Sequence, residues 1–165
     1  MMHNVFPMDA FEVLFLALQA FIVIFLLVHD WIPLGRLNNN AAKSREDKHS
    51  SLVFSTLLAA VPSAIGLYYS AKYFLRPYPH WLTMLLSITY GLFMLGMLRA
   101  WWIPYLLSPD AERATRYQSI FADTHSFLPV RNGIVPDTLH VMLHLATVAT
   151  LIALFVRDRI LTASF

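Results

Sequence analysis

A chain of 165 residues has the length of one domain, yet 58% of it is hydrophobic and only 13% is charged, about half the charge of an ordinary soluble domain. Apolar content this high excludes a disordered chain, 5 Gly exclude a collagen-like repeat, and 0 Cys exclude a disulfide scaffold, a thiolate metal centre and a cysteine-held iron–sulfur cluster. With a net charge of +2 and no basic aromatic platform there is no nucleic-acid surface, and a mean hydropathy of +0.56 fits a chain solvated by lipid.

In chain order, four runs at residues 10–28, 52–74, 81–98 and 138–156 reach the roughly 20 apolar residues a helix needs to cross a bilayer. Helix is the form they must take, because an open strand in lipid leaves its amides unpaired and these runs lack the alternation of a barrel strand. The prediction is all-α: one transmembrane domain over residues 1–165, an integral membrane four-helix bundle with a short amphipathic interfacial helix between the third and fourth spans. At the start of the first run Asp9 and Glu12 have capping-box spacing, and Gln19 interrupts its middle. Trp31-Ile32-Pro33 and Trp102-Ile103-Pro104 each join an interfacial Trp to a helix-stopping Pro and are predicted to close spans one and three.

Lys72 and Arg76, beside Pro77 and Pro79, mark a short turn that makes the middle spans an antiparallel hairpin. Ser55, Ala59, Ser63, Gly66 and Ser70 form a small-residue face on the second span, and Thr83, Ser87 and Gly91 do the same on the third. Such faces indicate close helix contact or an oligomer surface, and Pro62 is expected to kink its helix. Ser108-Pro109-Asp110-Ala111-Glu112 reads as a helix start with Ser108 as cap and Pro109 in the first turn. Beyond it Tyr117, Ile120 and Phe121 share a face, as on a helix lying along the headgroups. Pro136 precedes the last span as a first-turn proline.

Orientation follows from Lys and Arg alone. Arg36, Lys43, Arg45 and Lys48 lie after span one and Arg99, Arg113, Arg116 and Arg131 after span three, against Lys72, Arg76, Arg157 and Arg159 on the other side. The expectation is a multi-pass protein of the bacterial inner membrane with both termini non-cytoplasmic, the loops 38–50 and 108–136 in the cytoplasm, and a first span that is retained.

The residues able to carry chemistry gather on span four, where Asp137, His140, His144 and Thr147 recur at helical spacing on one narrow face. Polar groups inside a membrane turn to the bundle interior and are functional candidates by default. His140 and His144, four residues apart, are placed as two ligands of a divalent metal need to be, with Asp137 one turn earlier as a third. His29-Asp30 ends span one at the level where span four begins, so His29, Asp30, Asp137, His140 and His144 form the predicted ligand site at the cytoplasmic boundary. Glu12, Gln19 and Asp30 share a face of span one, which suggests a polar seam. Asp123 and His125 are placed to fold back over the site, with Arg99, Trp101 and Trp102 at its edge. Against this stands the plainer account, in which Asp137 complements the helix dipole, Glu12 caps, Gln19 makes one interhelical bond and the Trp pair anchors.

Haem is disfavoured, because two histidines on one face of one helix cannot supply opposite axial positions and His29 lies at the wrong depth to partner His144. A membrane di-iron enzyme is disfavoured as well, since 3 of the 7 His, namely His3, His49 and His80, fall outside the cluster. The activity stays unassigned between an enzyme or cofactor-binding protein built on the His/Asp site and an accessory or assembly subunit without chemistry of its own. A transporter is the weakest class, for want of repeated broken half-helices. Partners are the bilayer and either further copies of the chain or a larger membrane complex.

Overall fold

The computed structural model describes residues 8–38, 48–121 and 123–162. Lys43, Arg45 and His3 lie outside them. Helix α1 spans Met8–Val28, a 3-10 turn covers Gly35–Leu37, α2 spans His49–Lys72, α3 His80–Met97, α4 Ala111–Phe121 and α5 Thr138–Thr162. Among the described residues there are no strands, only an isolated bridge between Arg131 and Ile134. Four helices are long and apolar enough to cross a membrane, which supports a multi-pass membrane protein.

The helices close into a ring in which α1 packs on α2 and α5, and α3 packs on α2 and α5. Because α1 and α5 run antiparallel, the start of each lies at the level of the other's end. Phe15, Ile22, Leu82, Leu86 and Tyr90 fill the centre. The bundle is polar as well as apolar inside: Gln19, Ser63, Ser70, Thr147 and Thr150 are all fully buried. Thr147, Thr150 and Ser63 return their hydroxyls to backbone carbonyls one turn back, while Ser70 donates to Gln19 Oε1 at 3.1 Å and so ties α2 to α1.

The buried stripe of α2 is Leu52, Thr56, Ala60, Ser63, Gly66 and Ser70. Ser55 is off it and exposed, its hydroxyl donated to Leu52 O, so the predicted small-residue face holds from Ser63 onward. Gly66 is the point of closest approach: a Cβ there would stand 2.6 Å from Leu86 Cδ2 of α3. On α3 the prediction does not hold, for Ser87 is exposed and the buried side is Leu82, Leu86, Thr89, Tyr90 and Met97. Large side chains there meet the small ones of α2.

Glu12 does not cap α1. It is fully buried and pairs with Arg157 of α5, Nε to Oε1 at 2.6 Å, a contact close enough for an ion pair but too poorly aligned for a good hydrogen bond. Arg157 also lies 3.4 Å over the Tyr78 ring and donates from Nη2 to the carbonyls of Tyr73 and Arg76. One guanidinium thus joins α1, α5 and the α2–α3 hairpin. Removing a charge from water into such a place is costly unless every donor finds an acceptor, and Arg157 recruits carbonyls left over by the end of α2.

Span three is longer than predicted, His80–Leu106 rather than 81–98. Pro104 lacks the N–H that would bond Ala100 O, yet it does not stop the helix. The backbone widens into a π turn at Leu98–Trp102 and closes with one more turn, Ile103–Leu106. The freed carbonyls take side-chain donors from α4: Tyr117 OH to Ala100 O at 3.0 Å, and Arg113 Nη1 to Arg99 O and Ala100 O. Helix α4 therefore docks on the break that Pro104 makes. Its cap is Asp110, not Ser108, with Arg113 N donating to Oδ1 at 2.9 Å, and its apolar face is turned inward, with the Tyr117 and Phe121 rings against Trp101.

Candidate functional site

The segment from Asp123 to Asp137 is built as a lid over the end of the bundle where α1 stops and α5 starts. Asn132 and Gly133 both take positive φ between the bridged residues Arg131 and Ile134, a turn that Asn-Gly favours. Gly133 is required there, since a Cβ would meet that of Ala114 at 2.9 Å. Asn132 Nδ2 donates to Pro104 O and Tyr105 O, and Tyr105 OH donates to Pro129 O. At the start of the segment His125 ties it to the 3-10 turn beyond α1 and to the start of α5: its N–H donates to Arg36 O at 2.6 Å and its carbonyl accepts from Thr138 N.

Beneath this lid, Asp137 is the N-cap of α5 rather than a first-turn residue. Its Oδ1 accepts from His140 N at 2.9 Å and its Oδ2 from His140 Nδ1 at 2.7 Å. Burial pushes its carboxyl pKa up, but the hydrogen bonds from the His140 ring and from the His140 and Leu139 amides, with the attraction of His140, outweigh burial and hold it below the usual 3.8. When the His140 ring is neutral, the Asp137 carboxylate fixes its proton on Nδ1 and leaves Nε2 as an acceptor.

His144 is oriented by the π turn. Trp102 Nε1 donates to His144 Nδ1 at 3.2 Å, so the neutral ring carries its proton on Nε2. Neither His140 Nε2 nor His144 Nε2 has a hydrogen-bond partner among the described residues. Around His140 the rings of Trp101, Phe121, His29 and Phe25 stand with centroids 4.7, 5.4, 5.8 and 6.0 Å away. Both histidines line an apolar cleft of about 280 Å³ with Leu26, Ala59, Leu92, Gly96 and Thr147, close to the lower limit of ligand pockets at roughly 300 Å³.

The structure sets the His29 ring 5.8 Å from that of His140, which in turn lies 6.3 Å from that of His144 and is bonded to Asp137. His29 is occupied on both nitrogens, Nδ1 with Phe25 O at 3.0 Å and Nε2 with Asp30 Oδ1 at 3.0 Å. It therefore stands beside the cleft without a ring nitrogen to offer. Asp123 and His125 are exposed, and His125 Nδ1 meets Thr138 Oγ1 at 2.8 Å rather than facing His140. Arg99 is exposed on the π turn, whereas Trp101 is buried at the centre of the ring cluster.

Among the described residues no three His, Asp or Glu side chains are grouped to hold a metal ion. The physical reason is that both oxygens of Asp137 are spent on His140, and Asp30 is spent on His29. Two imidazole nitrogens fall short of the three protein ligands of a catalytic zinc site. Sequence reasoning set Trp102 at the site's edge or as an anchor without its hydrogen bond to His144, and it missed the burial of Arg157, which read as a charge flanking span four. Comparison with known protein families, curated proteins and solved structures finds no match.

Proposed function

We propose that this is a membrane protein that binds a lipid-soluble amphiphile in the cleft at the cytoplasmic boundary, with both termini on the non-cytoplasmic side. The observation that carries the reading is the complementary pair of unpartnered nitrogens, an acceptor on His140 and a donor on His144, at the wall of an otherwise apolar cleft. A head that both donates and accepts, on an apolar body, fits such a wall; a hydroxyl is the simplest. In this reading Asp137 and Trp102 hold the two tautomers, His29 and Asp30 brace the His140 ring, and a divalent metal has no third ligand to complete its shell.

Brominated long-chain alcohol tests this. Of the 4 Trp, Trp31 and Trp81 are replaced by Phe, so that fluorescence reports Trp101 and Trp102 beside the cleft. In nanodiscs the bromoalcohol should quench several-fold more than a bromoalkane of equal length, and His140→Phe with His144→Phe should abolish the difference. Equal quenching by alcohol and alkane in the parent protein would return the chain to the accessory-subunit reading.

A further inference from the structure

Helices α2 and α3 do not lie equally close along their length. At the hairpin end Tyr69 and Trp81 meet edge to face at 4.8 Å, and Gly66 lets α2 sit directly on Leu86. Toward the lid the contact is lost. A Cβ on Gly96 of α3 would find no atom within 4 Å, and Leu92 one turn before it is 62% exposed. Across the gap the facing wall is Ala59 of α2, half-buried and lining the same cleft as Gly96, Leu92 and His144. Small residues on both rims keep the gap from being filled by the protein's own side chains.

Two other approaches to His144 are closed. From the lid side Trp101 is buried under Tyr117 and Phe121, and from the hairpin side the bundle interior is filled by Leu82, Leu86 and Tyr90, all fully buried. An amphiphile dissolved in the bilayer reaches the rim without crossing water, and its head can slide inward to the two imidazoles while its tail stays among lipid chains. We infer that the cleft is loaded sideways from the lipid phase, through a portal between Ala59 of α2 and Gly96 of α3. The inference rests on the amphiphile reading of the cleft and adds the route and the residues that control it.

The chain has 0 Cys, so Ala59→Cys with Gly96→Cys introduces the only thiols. Closing them with a short, reducible bis-maleimide staples the rim and leaves His140 and His144 in place. Onset of quenching by the bromoalcohol should slow about tenfold in the stapled protein, as a shut entrance limits association, and should recover when the linker is reduced. Gly91→Cys carrying a single maleimide, outside the cleft lining, should keep the parent rate. An unchanged rate after stapling, with alcohol-selective quenching intact, overturns the portal alone. Absence of alcohol-selective quenching before stapling overturns the amphiphile reading and the portal with it.

Discussion

At the scale of single residues, three charges are buried among the described residues: Glu12, Asp137 and Arg157. Asp137 is 2% exposed and acts at once as helix cap and as partner of His140. Its carboxyl is held below 3.8 in the folded protein, so the stabilisation it gives is present above that ordinary value and is lost as pH falls through the lower, folded one. Asp137→Asn should therefore cost about 1–2 kcal/mol at neutral pH, and the gap from the parent protein should narrow in thermal melts taken below pH 3.8. Arg157→Ala leaves Glu12 buried without its cation, which should cost about 3–5 kcal/mol; a melt within a degree of the parent would show that the pair contributes nothing. The His140 and His144 stripe was legible from periodicity alone, because both sit on one face of one helix. The Glu12–Arg157 pair was not, since its members come from opposite ends of the chain and Glu12 had a sufficient local explanation as a cap.

Elements show the same division between local pattern and tertiary contact. Run lengths located the starts of the four long helices to within a few residues, but α5 runs on to Thr162 rather than 156, and Pro104, expected to end α3, is instead absorbed by a π turn whose carbonyls Tyr117 and Arg113 complete. Those donors belong to α4, so no reading of α3 by itself would have found them. The π turn also sets Trp101 against His140 and Trp102 against His144, which makes an irregularity in one element the origin of the site geometry. Small-residue spacing identified Gly66 as a contact but wrongly gave Ser87 the same role, because α3 answers with Leu86 and Tyr90. Gly66→Leu should lower the melting temperature markedly, as a side chain there must displace Leu86. Gly91→Leu projects into open space and should melt like the parent. Equal losses at the two positions would contradict the contact assigned to Gly66.

For the whole molecule, a ring of four apolar helices with a hydrogen-bonded lid at one end and an ion-paired end at the other gives two unlike faces. Arg157 is buried in its pair, while the lid side carries Arg36, Arg99, Arg113, Arg116 and Arg131. The proposed orientation, lid toward the cytoplasm, predicts that a reporter fused after the last residue is active only outside it; activity only inside would reverse the assignment.

The cleft is the point at which these scales meet, and photolabelling addresses it directly. A long-chain alcohol bearing a diazirine, added to the protein in nanodiscs and mapped by mass spectrometry, should place its adducts on cleft residues such as Met97 and Leu143. The double variant His140→Phe with His144→Phe should lose those adducts, as should an alkane probe of the same length. Adducts scattered over outward-facing residues such as Leu57, Ile88 and Leu145, identical for alcohol and alkane, would contradict a ligand site in this protein.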